Sequence, residues 1–374
     1  MNDSRVCIIG AGASGIAAAK VLHDQGIPFD CFEKGSMVGG NWRYLNDNGQ
    51  SSAYASLHIN TSKTRMAFSD FPMPQHYPDY PHHAQIAKYF DDYVDHFGFR
   101  DKITFRTEVV QAAPAADGSW EVTLAGGKNC RSRAVLVANG HHWDPKWAHF
   151  PGRFDGLQMH SHDYKTPDLF AGKNVLVIGM GNSGVDIACE SSRVAAQTFL
   201  STRRSAQVIP KYILGRPVDQ FTTPFTSMLP LAVQSLSMRL LLWVAHGSQR
   251  RLGLPEPAHK LHQAHPTISS DLLTLIGHGG IKIKPNVKML AGDTVVFEDG
   301  SRERIDCIVY ATGYNVSFPF FKQEVLSVRD NELPLYRRVV SVQHPHLYFI
   351  GFLQPLGAIM PLAELQAQWV ARLL

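Results

Sequence analysis

The sequence predicts an α/β chain built from two Rossmann-like dinucleotide-binding domains, the second inserted into a discontinuous first. Two observations carry this. A strand, a glycine turn and a helix occur in the same order twice, about 170 residues apart, and that unit is how a parallel sheet meets a nucleotide at its first turn. The length of 374 residues, with 44% hydrophobic and 18% charged side chains, suits two to three packed domains and excludes intrinsic disorder.

The first unit runs Val6-Cys7-Ile8-Ile9, then Gly10-Ala11-Gly12-Ala13-Ser14-Gly15, then an Ala-rich helical stretch over 16–22. The second runs 175–178, then Gly179-Met180-Gly181-Asn182-Ser183-Gly184, then a helical stretch over 185–188. With 30 glycines in the chain, about 0.2 matches to G-x-G-x-x-G are expected by chance. The weight therefore lies in the apolar strand before each turn and the helix after it. Glycines let the backbone turn sharply and approach a pyrophosphate, which rests on the positive helix N-terminus.

Between the units, Pro72, Pro74, Pro78 and Pro81 make 70–83 a loop. The apolar stretch 228–245 is interrupted by Pro230 and Arg239, and an Arg near mid-membrane costs about 2.5–3.5 kcal/mol. It reads as a helix buried in the protein or at a subunit contact, with a membrane surface as the alternative. The expected domains are 1–148 with 285–374, and 149–284.

The residue after each second strand separates the two sites. Phe29-Asp30-Cys31-Phe32 leads to Glu33, a carboxylate that accepts from a free ribose 2′-hydroxyl and repels a 2′-phosphate. The first site therefore takes FAD or NAD. Thr198-Phe199-Leu200-Ser201-Thr202 leads to Arg203 and Arg204, whose guanidinium groups match a 2′-phosphate, so the second site takes NADP. FAD in one site and NADPH in the other mean hydride transfer from nicotinamide to flavin. Cys7, Cys31, Cys130, Cys189 and Cys307 contain no C-x-x-C pair, which excludes a dithiol relay of that kind and a zinc ribbon. Electrons then pass to dioxygen, a quinone or a protein.

Composition excludes other classes. A net charge of +4, with no basic block, gives no argument for nucleic acid. Scattered cysteines in odd number fit a reducing compartment, and Met1 leads into the first strand without a signal-peptide pattern, so the chain is expected in the cytoplasm. His259, His262 and His265 lack a carboxylate or Cys companion and are not expected to bind metal; the expectation for the chain is no metal. His82-His83 and His141-His142 are expected to diverge as strand neighbours do.

Phe154, Gly156, His160 and Tyr164 fit F-x-G-x-x-x-H-x-x-x-[FY] just before the second glycine turn, a pattern expected under about 0.01 times by chance. This resembles the signature of the flavin-containing monooxygenases. Glu33-Lys34-Gly35 with Gly39-Gly40-Asn41-Trp42 resembles the family's segment after the flavin-ribose carboxylate. Asn60-Thr61-Ser62-Lys63 with Phe68-Ser69-Asp70-Phe71-Pro72 resembles the stretch carrying its flavin-facing asparagine. Ala311-Thr312-Gly313-Tyr314 resembles its return crossing. Gln354-Pro355-Leu356-Gly357 through Pro361, with Glu364-Leu365-Gln366, resembles its last flavin-side segment. The chain stops at Leu373-Leu374, where full-length relatives continue, and Ala138-Asn139-Gly140 stands where Thr-Gly or Ser-Gly is usual.

The resemblance implies that NADPH reduces FAD, that oxygen adds at flavin C4a, and that the hydroperoxide oxidises a soft nucleophile such as a tertiary amine or a sulfide. The cofactor is then the oxidant and no side-chain nucleophile is needed. Gly10, Gly12, Gly15, Glu33, Gly40, Trp42 and Gln354 would lie on FAD. Gly179, Gly181, Asn182, Ser183, Gly184, Arg203 and Arg204 would lie on NADP. Asn60 would bond beside the flavin–oxygen adduct as the catalytic residue, and His160 would anchor the linker on the nicotinamide side. Open alternatives are ketone or 2-oxo-acid oxygenation and an NADPH oxidase or reductase without oxygen insertion. Peripheral membrane contact and a homodimer are left open.

Overall fold

In the computed structural model, which describes residues 5–257, 266–355 and 357–374, the chain divides into two compact units. One comprises the described residues up to Asp144 together with Tyr314–Leu374; the other is Pro145–Gly313. His259, His262 and His265 lie outside the described residues.

The first unit is organised on a seven-stranded sheet ordered Leu335–Tyr336, Val340–Ser341, Leu347–Phe349, Ala134–Val137, Val6–Ile9, Phe29–Phe32 and Ile103–Thr104. Its central strands are parallel. Every residue of Val6–Ile9 and Ala134–Val137 is buried, which is why these strands are unbroken apolar runs: a parallel sheet is covered on both faces. Helix Ala13–Asp24 covers one face and packs on helix Met360–Ala371. Ala17, Ala18 and Ala19 are fully buried there, small side chains that let helix and sheet approach. The register pairs Ile9 with both Phe32 and Val137. Gly10, Glu33 and Ala138 therefore leave the sheet side by side.

The second unit repeats the arrangement. Its five-stranded parallel sheet is ordered Leu157–His160, Cys307–Tyr310, Asn174–Ile178, Gln197–Ser201 and Ile281–Lys284. Ile178 pairs with Ser201 and Tyr310, so Gly179, Thr202 and Ala311 emerge together. A smaller sheet of Arg302–Arg304, Thr294–Phe297, Val287–Gly292 and Gly152–Phe154 belongs to the same unit. The expected boundary at 284/285 falls inside it, and the division lies at 313/314 instead. Cys307–Tyr310 pairs with Leu157–His160 and Asn174–Ile178 of the five-stranded sheet, so the chain completes that sheet before leaving the unit.

The stretch 228–245 does form a helix, Leu231–His246, but the expectation that it is buried within the chain is corrected. Leu242 alone of its residues is buried, at 2% exposure, while Leu236 is 68% and Trp243 65% exposed. Val233, Leu236, Leu240, Trp243 and Val244 recur at helical spacing and form one outward stripe. Among the described residues no helix is long and apolar enough to cross a membrane. The histidine pairs also differ from expectation. His82 and His83 have ring centroids 4.0 Å apart, and His141 and His142 4.2 Å. His82 is the N-cap of helix His83–His96, and its ring nitrogen accepts the Ala84 N–H. Backbone entering a helix lacks the two-residue alternation of a strand.

Candidate functional site

The first and third glycines of the two turns are crowded in the same way. Gly10 has φ +97°, and a Cβ on it would stand 2.8 Å from the Ala138 carbonyl oxygen; Gly179 has φ +114°, and its Cβ would stand 2.3 Å from the Ala311 carbonyl oxygen. The third glycine of each turn packs on the first: a Cβ on Gly15 would be 1.9 Å from Gly10 O, and on Gly184 2.1 Å from Gly179 O. No residue with a side chain fits at these four places. The middle glycines are different. Gly181 has nothing within 4 Å of its would-be Cβ, and Gly12 meets only the Gly40 backbone, at 3.7 Å. That open side is where a backbone must be bare for a phosphate to come close. Gly10 N–H donates to Phe32 O and Gly179 N–H to Ser201 O, so each turn is locked to the second strand of its sheet.

Around the first turn the structure gathers Gly10, Gly12, Gly15, Glu33 and Gly40. Gly39 N–H donates to Ala11 O at 3.0 Å, which lays the Gly40–Trp42 turn along the glycine loop, with Trp42 packed on the core of this unit. Glu33 is 4% exposed. Its Oε2 accepts the Ala11 N–H at 2.7 Å, and its Oε1 accepts the Gly35 N–H at 2.7 Å and the Asn48 Nδ2–H at 3.4 Å. A carboxylate has about four acceptor positions, so three serve the protein and one is left for a hydroxyl. Gln354 stands apart on an exposed turn, 3.4 Å from His141 Nε2. Three residues before it, Gly351 is pressed against the first helical turn, where a Cβ would lie 2.0 Å from Ser14 Oγ. Asn60 follows the buried Ile59, precedes the buried Ser62, and makes no hydrogen bond to the described residues.

Around the second turn, Asn182 is committed to structure: its Oδ1 accepts the Ile268 N–H at 2.8 Å, beside the Thr267 hydroxyl, which donates to Met180 O. Ser183 is half-buried, and Gly184 is buried. Arg203 and Arg204 are exposed, with no ion pair or hydrogen bond to the described residues, so their guanidinium charges are available to an anion.

The four signature residues belong to the packing of the second unit. Phe154 and Tyr164 are buried. Gly156 is required by crowding, since a Cβ would stand 2.5 Å from Asp306 O and 2.7 Å from the Phe154 ring. His160 is fully buried, its Nδ1 accepts the His162 N–H at 3.1 Å, and burial lowers its pKa. The Tyr164 hydroxyl donates to Glu190 on helix Asn182–Ser191, tying the signature to the helix that opens at the second glycine turn. Among the described residues no group of three His, Cys, Asp or Glu is placed to hold a metal.

Sequence reasoning did not single out Glu364, Ser69, Lys20 or Asp70. Glu364 bonds Ser69, and Lys20 is paired with Asp24 and Asp70. Lys20–Asp24 is an ordinary i,i+4 helix pair, but no spacing rule links Glu364 to Ser69 or Lys20 to Asp70, which are remote in the chain.

Comparison with known proteins agrees with this geometry. A family described as FMO-like, Flavin-binding monooxygenase-like, matches residues 3–374. The chain is 42% identical over 393 residues to Flavin-containing monooxygenase 5 of Oryctolagus cuniculus, covering 99% of this chain and 73% of that protein. It is 40% identical over 392 residues to Dimethylaniline monooxygenase [N-oxide-forming] 2 of Mus musculus, covering 98% and 72%. Among solved structures, S-allyl-L-cysteine S-oxygenase from Allium sativum superposes with a TM-score of 0.73 at 26% identity over 99% of this chain and 76% of that one. A flavin-containing monooxygenase from Stenotrophomonas maltophilia, at 19% identity, shares the fold, with a TM-score of 0.78 over 100% and 98%. The match along the whole chain and the 42% identity establish that it belongs to the flavin-binding monooxygenases, and that it is an FAD-dependent oxidoreductase that takes electrons from NADPH and inserts oxygen.

Proposed function

We propose that the chain oxygenates soft nucleophiles, tertiary amines or sulfides, with FAD held by the unit of residues 5–144 and 314–374 and NADP by the unit Pro145–Gly313. The observation that carries the division is the pair of matched glycine turns with unlike neighbours. Beside the first is the buried Glu33 with one acceptor position left; beside the second are two exposed arginines, unpaired among the described residues. A 2′-hydroxyl suits the former and a 2′-phosphate the latter. The residues present fit both groups, because Gly12 and Gly181 leave the turns bare toward the phosphates.

Bound FAD and NADPH supply the redox chemistry that activates dioxygen. The protein's part is to bind, orient and keep water out. Gly10, Gly12, Gly15 and Gly40 shape the flavin-nucleotide seat, and Trp42 and Gln354 flank it. Gly179, Gly181, Ser183 and Gly184 seat the second nucleotide, with Arg203 and Arg204 on its phosphate and Asn182 holding the turn to Ile268. Asn60, whose amide has no partner among the described residues, offers both a donor and an acceptor to the reacting face. His160 and Tyr164 hold the unit's fold, as their burial supports. The amine and sulfide preference is supported by a relative named for N-oxide formation and a solved relative named as an S-oxygenase.

The five cysteines are free, four of them buried, which supports a reducing, cytoplasmic setting. The outward stripe on Leu231–His246 supports either a peripheral membrane contact or a homodimer. Vesicle cosedimentation and a solution mass separate the two.

The test is to oxidise NADPH in air with the purified yellow protein, offering trimethylamine or a thioether. One oxygenated product per NADPH, with little hydrogen peroxide, supports the reading. Stoichiometric peroxide whatever substrate is offered overturns it in favour of an oxidase.

A further inference from the structure

The segment that carries Asn60 is fastened by side chains remote from it in sequence. Glu364, on helix Met360–Ala371, is 3% exposed. Its Oε2 accepts the Ser69 N–H at 2.9 Å and its Oε1 accepts the Ser69 hydroxyl at 2.6 Å. Among the described residues it forms no ion pair. A carboxylate buried without a cation is stable only where hydrogen bonds replace its water, and Glu364 has both of these bonds to one residue of one loop. That loop has further anchors. Tyr89 Oη accepts the Phe68 N–H at 2.9 Å and donates to Phe71 O, and Lys20 is ion-paired with Asp70. At the other end, Ile59 N–H donates to Pro81 O and Lys63 N–H to Asp79 O, while Ser62 is fully buried. Asn60 thus hangs between fixed points, its own amide unbound among the described residues. The same helix also holds the turn before Gln354: Gln366 Oε1 accepts the Gly351 N–H at 2.8 Å.

We propose that Glu364 is a positioning residue of the oxygenation site, setting the place of Asn60 through its double bond-pair to Ser69. The proposal rests on the reading of Asn60 as the residue beside the flavin. Helix Met360–Ala371 then has two duties, packing on helix Ala13–Asp24 and fixing the two loops that carry Asn60 and Gln354. Small displacements matter at such a site, because a misplacement of about 1 Å costs up to ~100-fold in productive geometry. A loosened loop also admits water to the reacting face, and oxidising power is lost as peroxide.

The test uses FAD-loaded protein with Glu364→Ala, Glu364→Gln and Ser69→Ala. Hydrogen–deuterium exchange is read on peptides covering 60–72, and peroxide released per NADPH is read with trimethylamine as the probe. In Glu364→Ala, exchange over 60–72 should rise by about tenfold or more, with peptides covering 174–201 unchanged. The peroxide share should rise at least ~3-fold while KM for NADPH stays within about twofold. Glu364→Gln keeps an acceptor for the Ser69 N–H and gains a donor for its hydroxyl oxygen, so it should match the parent on both readouts. Unchanged exchange over 60–72 in Glu364→Ala would overturn the tether, and faster exchange with unchanged peroxide would overturn its role in the site. If Glu364→Ala exchanges fast throughout or loses flavin, Ser69→Ala decides by the same two readouts, because Ser69 is exposed and its loss leaves the core intact. Failure of the parent to oxygenate trimethylamine or a thioether would count against the functional reading, and the exchange data would still judge the tether by themselves.

Discussion

Glu33 holds Ala11: the carboxylate at the end of the second strand accepts the backbone N–H in the middle of the first glycine turn at 2.7 Å. The residue read from the sequence as a ribose clamp is therefore also the keystone of the turn itself. Glu33→Ala would leave the Ala11 and Gly35 N–H groups buried without an acceptor, at about 1–3 kcal/mol each. Against a total stability of roughly 5–15 kcal/mol this is a large loss. The expected preparation is colourless and melts at a lower temperature even when FAD is added in excess. Glu33→Gln retains one acceptor oxygen and should fall between. A Glu33→Ala protein that melts like the parent in the absence of flavin would limit Glu33 to ligand binding.

The matched glycine turns separate folding from binding. Gly181 has open space at its would-be Cβ and φ −77°, so Gly181→Ala should fold and keep its flavin. Its methyl group would stand where the phosphates approach, and KM for NADPH should rise by about tenfold, roughly 1.4 kcal/mol. Gly184→Ala forces a Cβ to 2.1 Å from Gly179 O and should lower the melting temperature as well. Steady-state kinetics and a thermal melt of the two variants check this, and equal melting temperatures would contradict the packing described.

What could be read in the sequence was what the backbone encodes locally. Strand, glycine turn and helix follow one another within a few residues, and the register of a parallel sheet then brings Glu33 beside Gly10 and Arg203 one residue past the partner of Gly179. The bond from Glu364 to Ser69 spans 295 residues and has no periodicity to betray it. The stripe on Leu231–His246 was visible as apolar content, but composition does not say whether a face is covered. Its exposure is a property of tertiary packing. The close, tilted His82–His83 pair departs from the strand expectation because His82 is a helix N-cap.

On the reading proposed above, Arg203 would carry the nucleotide preference. Thr202 is buried, with its Oγ1 accepting the Ser205 N–H at 2.9 Å, which fixes the backbone on both sides of the arginine pair. A hydrogen bond to a charged group contributes about 1.5–3 kcal/mol. Arg203→Ala should therefore raise KM for NADPH about 10- to 100-fold while leaving KM for NADH within ~2-fold. Equal effects on the two dinucleotides would remove the 2′-phosphate from Arg203.

His83 makes the first unit acid-sensitive. The ring is almost fully buried, and burial, with the neighbouring His82 charge adding to it, lowers its pKa to about 4 from the usual 6.5, against a smaller opposing effect of the Ala55 carbonyl. The groups around it are His82 at 4.0 Å and Tyr44 at 5.3 Å between ring centroids, with His58 edge-on to His82. A base whose folded pKa is depressed favours the neutral form. Its contribution is complete above pH 6.5 and is lost as pH falls from 6.5 toward 4, because the unfolded chain takes up the proton first. The difference between those two values corresponds to about 3 kcal/mol at most. His83→Phe keeps a ring of similar size against Tyr44 and cannot charge, so its melting temperature should fall less than the parent's between pH 6.5 and 4. Parallel melting curves for the two proteins across that interval would show that His83 is protonated in the fold without penalty.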